Sequence, residues 1–254
     1  MNFKRANRQI AFLLSVLLMA ACQNQDIAEK ENIDTVRKDI DENEEATKEM
    51  KNETSNFEQG SLLKAVSEND EGLVRSILAD SDYPIDEMND KGETALLIAV
   101  HNNSIEISKM LIDHKADINK QDKISDSPYL YAGAQGRTEI LKYMLEHSSP
   151  DESVFNRFGG NALIPAAEKG HLENVKLLLE KSKSDIDHQN NFGYTALIEA
   201  VALTNGSETY QDIIRVLLEN GANPHLKDNS GKTALDYAQE LNYVEMENIL
   251  QEYH

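Results

Sequence analysis

From residue 60 onward, apolar and polar positions return in the same order at a nearly constant interval. The segment NDKGETALLIAVHNN, from Asn89, opens on a polar turn containing Gly92. Thr94 stands where a helix cap is needed, and Leu96 and Ala99 mark the inner face of the short helix that follows. Ser104 then begins IEISKMLIDH, in which Ile107, Met110 and Leu111 fall at i, i+3 and i+4, so a second helix is predicted. The first of these blocks has counterparts in GSLLKAV at Gly60, SPYLYAG at Ser127, NALIPAA at Asn161, TALIEAV at Thr195 and TALDYA at Thr233, in steps of 34, 33, 34, 34 and 38 residues. Later units repeat the plan with Leu130, Ala132, Ile140, Leu141 and Leu145, then Leu163, Ala166, Val175, Leu178 and Leu179, then Leu197, Ala200, Ile213, Val216 and Leu217. No such helix pair can cover its own apolar face. About six pairs must therefore stack, each on the next, in an all-α solenoid whose first and last units serve as caps. The first lacks the glycine turn and the threonine, and the last ends in VEMENILQEYH with a charged outer face.

Two units depart from the pattern. The fifth is lengthened: Leu197 to Leu217 spans 20 positions where Leu163 to Leu178 spans 15. The extra residues are expected in a loop, which is either a recognition element or a tolerated surface insertion. The fourth carries Gly159-Gly160 and Pro165, which either adjust the hairpin and helix start locally or open a groove for close backbone approach.

The repeated block, KADIN at Lys115, GANPH at Gly221 and GHLENVKLLLE at Gly170 together resemble the ankyrin-repeat family over residues 57–254. The resemblance implies a right-handed stack of helix-turn-helix pairs with projecting hairpins, used in protein recognition and not in catalysis. In that geometry the third residue of each turn lies on the hairpin that projects toward the concave face. Ile124, Phe158 and Phe192 occupy it in units three to five, 34 residues apart. These three would form an exposed ladder joined by Tyr194, with Tyr131, Glu168, Glu199 and Tyr237 extending the surface from the first helices. Exposed apolar clusters of this kind mark binding sites and supply anchors. The competing expectation is that each ring packs on the next hairpin and stiffens the array. His171 falls where the family has a structural histidine.

The N-terminus carries a separate signal. Lys4, Arg5 and Arg8 precede the short apolar run IAFLLSVLLMAA, which ends in small residues just before Cys22, the only cysteine in the chain. This is the plan of an export signal over residues 1–21, too short to span a bilayer. A lone thiol after LMAA resembles the bacterial lipobox, which implies diacylation of Cys22 and a stable lipid anchor. Residues 22–56 are crowded with charge, poor in apolar side chains, and expected to be an acidic flexible tether. The expected location is the bacterial cell envelope, on the outer face of the cytoplasmic membrane or on the outer membrane. Gln23 stands where an aspartate would favour retention at the inner one.

The formal charge is -20, or -23 once the three leader cations are removed. Such a surface repels nucleic-acid phosphates and favours a protein partner with a basic surface. Chemistry is otherwise absent from the pattern. SGKT at Ser230 resembles the end of a phosphate loop, but Leu226 stands where that loop needs its first glycine. The seven histidines are scattered and DKISDS lacks the spacing of a calcium loop, so no metal or cofactor is expected. The expectation is a membrane-anchored binder of a protein on the exported side, such as a neutraliser of a toxin or hydrolase. The alternatives are a scaffold for an exported enzyme, or a small-molecule receptor or enzyme that uses the loop of unit five.

Overall fold

The computed structural model describes residues 56–253. The leader, Cys22 and the tether up to residue 55 lie outside the described residues. Within them the chain forms twelve helices, two per unit. They are α1 (Ser61–Ser67) and α2 (Glu71–Leu78), α3 (Ala95–Asn102) and α4 (Ile105–Asp113), α5 (Pro128–Ala134) and α6 (Thr138–His147). Units four to six supply α7 (Leu163–Glu168) and α8 (Leu172–Lys181), α9 (Ala196–Ala202) and α10 (Glu208–Glu219), α11 (Ala234–Glu240) and α12 (Val244–Gln251). First helices pack on first helices and second on second, each unit touching its neighbours. Among the described residues the only β feature is an isolated bridge between Met88 and Thr94.

The caps explain where the first helices begin. Thr94, Ser127, Thr195 and Thr233 each accept a backbone N–H three residues on, from Leu97, Leu130, Ile198 and Asp236. Asn161 does the same work in unit four, its Oδ1 accepting from Leu163 N and Ile164 N at 3.2 Å each. Pro165 therefore sits within the first turn of α7, where few helical donors are needed, and leaves the helix intact. Unit one solves the problem with its own closing loop, which follows α2. The nearly buried Tyr83 hydroxyl accepts from Leu62 N at 3.0 Å, and the Glu87 carboxylate accepts from Gly60 N at 2.7 Å.

The core is a continuous row of most of the predicted positions together with residues of the end units, while Met110, Leu145, Leu179 and Val216, expected on the same stripes, are only partly buried at its edge. Leu62, Leu96, Ala132, Leu163, Ala200 and Ala238 are fully or almost fully buried, as are Ile77, Leu111, Leu141, Leu178, Leu217 and Leu250. Asn174 on α8 is buried among them, and its amide donates to Ala132 O and Gly133 O at 3.0 Å, tying carbonyls in the last turn of α5 to the next unit. The lengthened unit corrects the expectation of a simple loop. Its inter-helix segment is residues 203–207, against residues 169–171 in unit four, and α10 is longer by about half a turn, with 12 residues where α8 has 10. The segment is tied down: Tyr243 Oη donates to Thr204 O at 2.7 Å and Gln211 to Gly206 O at 3.0 Å.

Candidate functional site

Each hairpin winds about one side-chain oxygen. Asn89, Asp122, Asn156, Asn190 and Asp228 each accept from the backbone N–H two and four residues on, at 2.8 to 3.0 Å. The residue two positions after the hub is thus turned outward at the tip. In units three to five it is Ile124, Phe158 and Phe192, exposed by 55%, 49% and 55%. Neighbouring hairpins are joined by backbone bonds from Lys123 N to Lys91 O, Asn191 N to Phe158 O and Asn229 N to Phe192 O, at 2.9 to 3.1 Å.

Four of the expected residues form a continuous chain of rings. Phe158 and Phe192 have centroids 6.5 Å apart, Phe192 and Tyr194 6.3 Å, and Tyr194 and Tyr237 6.2 Å in an edge-to-face arrangement. These spacings are attractive for aromatic pairs, so the two expectations for the rings combine: they support one another, Phe158 and Phe192 remain about half exposed, and Tyr194 and Tyr237 are partly buried against the core. Arg157 lies 5.0 Å from the Phe158 ring, and Tyr237 Oη donates to Asp228 at 2.5 Å. Burial and that carboxylate acceptor push the Tyr237 hydroxyl up, so it stays a donor at neutral pH. Ile124 is exposed on the preceding hairpin. Tyr131 stands apart from the ring chain and tilts against His101 at 4.1 Å.

Beneath the rings lies a groove of about 360 Å³ lined by Phe158, Ile164, Pro165, Phe192, Tyr194 and Leu203, with Glu168 and Glu199 among its polar groups. A second depression of about 270 Å³, reaching Tyr131 and Asp126, shares Asn156, Phe158, Pro165 and Glu168 with it. The two form one surface along the first helices of units three to five. Pro165 and the Gly159-Gly160 hairpin border this groove, and Leu203 enters it from the lengthened unit. A larger depression of about 650 Å³ elsewhere is lined chiefly by polar side chains such as Asn69, Asn103 and Glu139, and offers no aromatic anchor.

Glu199 does not lie on the open surface with the rings, where it was expected; it is only 7% exposed, at the base of the groove. Its Oε1 accepts from Asn190 Nδ2 at 2.8 Å, so the hairpin hub and the groove carboxylate are one unit. Burial, with the like charge of Glu168 beside it, pushes Glu199 up to about 7 despite that hydrogen bond. Asn190 was missed in the sequence because a hairpin Asx looks the same whichever way its second polar atom points. The signal was the carboxylate at Glu199, where the other first helices carry Lys64, Ile98, Tyr131, Pro165 and Tyr237.

The rejected phosphate-loop match is occupied locally. Ser230 Oγ donates to Asp228 at 2.7 Å, Lys232 Nζ to Glu240 at 2.6 Å, and Thr233 caps α11. His171 precedes α8, and burial, aided by Lys169 and Arg137, lowers its pKa. Among the described residues no group of His, Cys, Asp and Glu is placed to hold a metal ion, and no helix is long and apolar enough to cross a membrane.

Known proteins share this architecture. The family model for ankyrin repeats (3 copies) matches residues 17–122, 62–156, 116–190 and 163–254. The chain is 37% identical over 188 residues to the putative ankyrin repeat protein YahD of Escherichia coli (strain K12), covering 74% of this chain and 92% of that one. The crystal structure of EF0377, an ankyrin repeat protein, matches with a TM-score of 0.77 and 61% identity, over 78% of this chain and all (100%) of the other. An ankyrin repeat domain from Acinetobacter baumannii AYE matches at 0.74 and 44%, over 77% and 98%. Proteins of this architecture are in general interaction scaffolds and not enzymes, and nothing in the groove indicates catalysis.

Proposed function

Because this chain belongs to the ankyrin-repeat family, we propose that it captures a protein partner on the exported side of a bacterial membrane, held there by lipid on Cys22. The observation that carries the reading is the chain of rings, Phe158 and Phe192 about half exposed, over an apolar groove. Phe158, Phe192, Tyr194 and Tyr237 present anchors on a rigid stack, and burying such anchors in a partner is how a small patch supplies most of a binding energy. The acidic surface draws a basic partner and raises the association rate. Covering the partner's working surface would neutralise a toxin or hydrolase; holding an exported enzyme at the membrane would use the same face. The exported location is supported by the leader pattern before Cys22.

Two experiments test this. The full chain, used to capture proteins from its own cells and medium, is expected to retain a partner that a Phe158→Ala, Phe192→Ala double variant binds about thirty-fold or more weakly, the equivalent of one 2 kcal/mol anchor. Equal retention by a variant that melts like the wild type removes the rings from recognition. Cys22→Ser is expected to abolish metabolic labelling with palmitate and to shift the protein from the membrane to the soluble fraction. Unchanged fractionation defeats the lipid anchor.

A further inference from the structure

We infer that the groove between units four and five receives one lysine or arginine side chain from an extended segment of the protein partner. Its aliphatic stem lies against Phe158, Ile164, Pro165, Phe192 and Leu203, and its charged head meets Glu199 and Glu168. The inference rests on the proposed protein-binding role and gives the partner its chemistry.

Three observations lead to it. The groove holds two carboxylates and no cation: none of its lining residues is Lys, Arg or His, and the cations of the adjoining depression are Lys169 and Arg157, the latter paired with Asp126. Among the described residues neither Glu168 nor Glu199 enters an ion pair, although eight pairs between Lys or Arg and Asp or Glu form elsewhere. Second, the acid is placed at the expense of the fold. Glu199 is buried at a position where the other units carry lysine, isoleucine, tyrosine or proline, and Asn190 satisfies only one of its oxygens. A buried carboxylate without a counter-charge is costly to the free protein, and its upward-shifted pKa records that cost. An incoming ammonium or guanidinium removes it.

Third, the lining suits an amphipathic chain rather than a bare ion. Hard divalent cations need a shell of oxygen ligands, and this groove offers mostly carbon. Lysine and arginine bury their methylene stems on apolar surface while the head seeks charge, and the faces of Phe192 and Tyr194 attract a cation at close range. The exposed side chains of Phe158 and Ile124 carry the apolar surface beyond the groove, so a segment lying along the hairpins can present the charged residue into it.

The test titrates the isotopically labelled full chain with N-acetyl-lysine N′-methylamide, its arginine counterpart and the uncharged norleucine counterpart, following the Ile164 and Leu203 methyls and the Gly160 amide by NMR. A cationic probe is expected to bind at these signals at least tenfold more tightly than norleucine. A Glu168→Gln, Glu199→Gln double variant, which keeps the side-chain volumes, is expected to bring it down to the norleucine level. Equal binding of norleucine and the cationic probes, cationic binding unchanged in the double variant, or shifts only at other residues would each overturn the inference. If the Phe158→Ala, Phe192→Ala variant loses its protein partner while the probes show no charge preference, the protein-binding reading stands and this one falls. If the probes seat as expected but partner retention ignores the rings, the cation site stands and the ring ladder falls.

Discussion

Gly193→Ala is expected to lower the melting temperature of the full chain by about 6–12 °C, the counterpart of roughly 3 kcal/mol in a domain of this size. Gly193 has φ +79, which costs an L side chain about 1 kcal/mol. The larger part comes from the neighbour: a Cβ at 193 would stand 2.6 Å from Asn229 N and 3.0 Å from Asp228 C, both backbone. The hairpins of units five and six would have to separate, losing the bond from Asn229 N to Phe192 O. Gly231 is the internal control. Its φ is +84 but nothing lies within 4 Å of its Cβ position, so Gly231→Ala should cost only about 1 kcal/mol, or about 2–4 °C. The protein already contains one such substitution. Ser125, with φ 64, occupies the glycine position in unit three, and the matching bond from Arg157 N to Ile124 O is not formed. Thermal melts decide the matter, and faster amide exchange in unit six should accompany the loss because stacked units are coupled mainly to their neighbours. Equal losses for the two alanine variants would show that backbone strain, not hairpin contact, sets the cost.

Glu199→Gln is expected to stabilise the chain by about 2 kcal/mol at pH 8.5, a rise of about 4–8 °C, and to change little near pH 4.5. The folded-state pKa of about 7 stands above the ordinary glutamate value of 4.5. The native state therefore holds a proton that the unfolded chain has released between these values. The favourable contribution is fully present below pH 4.5 and is lost as pH rises through 7. Glutamine stays neutral and can still accept from Asn190 Nδ2. The groups around the site do not offset the charge: Glu168 on α7 adds a like one, Asn190 contributes a single neutral hydrogen bond, the Tyr237 hydroxyl on α11 is given to Asp228, and the cations Lys169 and Arg157 line only the adjoining depression, Arg157 paired with Asp126. Melting temperatures of the wild type and variant that run parallel from pH 5 to 8.5 would exclude Glu199 as the source. The same substitution that firms the fold should weaken capture of a cationic side chain, so stability and binding are expected to move in opposite directions at this residue.

The chain order alone determined the architecture. A block returning every 33 to 38 residues with a cap, an inward leucine and alanine, and an i, i+3, i+4 stripe can bury its apolar face only by stacking. Thr94, Thr195 and Thr233 act as the caps that this pattern requires. The outward-facing rings were equally legible, because Phe158 and Phe192 keep a fixed distance from the turn and the hairpin geometry repeats with the period. Contacts between units were not legible, since a period specifies each unit's own backbone and not what its neighbour brings to the junction. Long-range contacts inside a unit were no more legible: Tyr83 and Glu87, in the loop that closes unit one, replace its missing cap from more than 20 residues away. The extra residues of unit five extend α10 because Ser207 to Gln211 continue a helical pattern once Tyr210 and Tyr243 have packed. Glu199 is written in the sequence like any other carboxylate in a chain with 45 of them. Only the stack puts it under Phe158, Phe192 and Leu203 beside a second acid, and desolvation there, a property of the neighbours and not of the residue, turns a surface charge into the base of a groove.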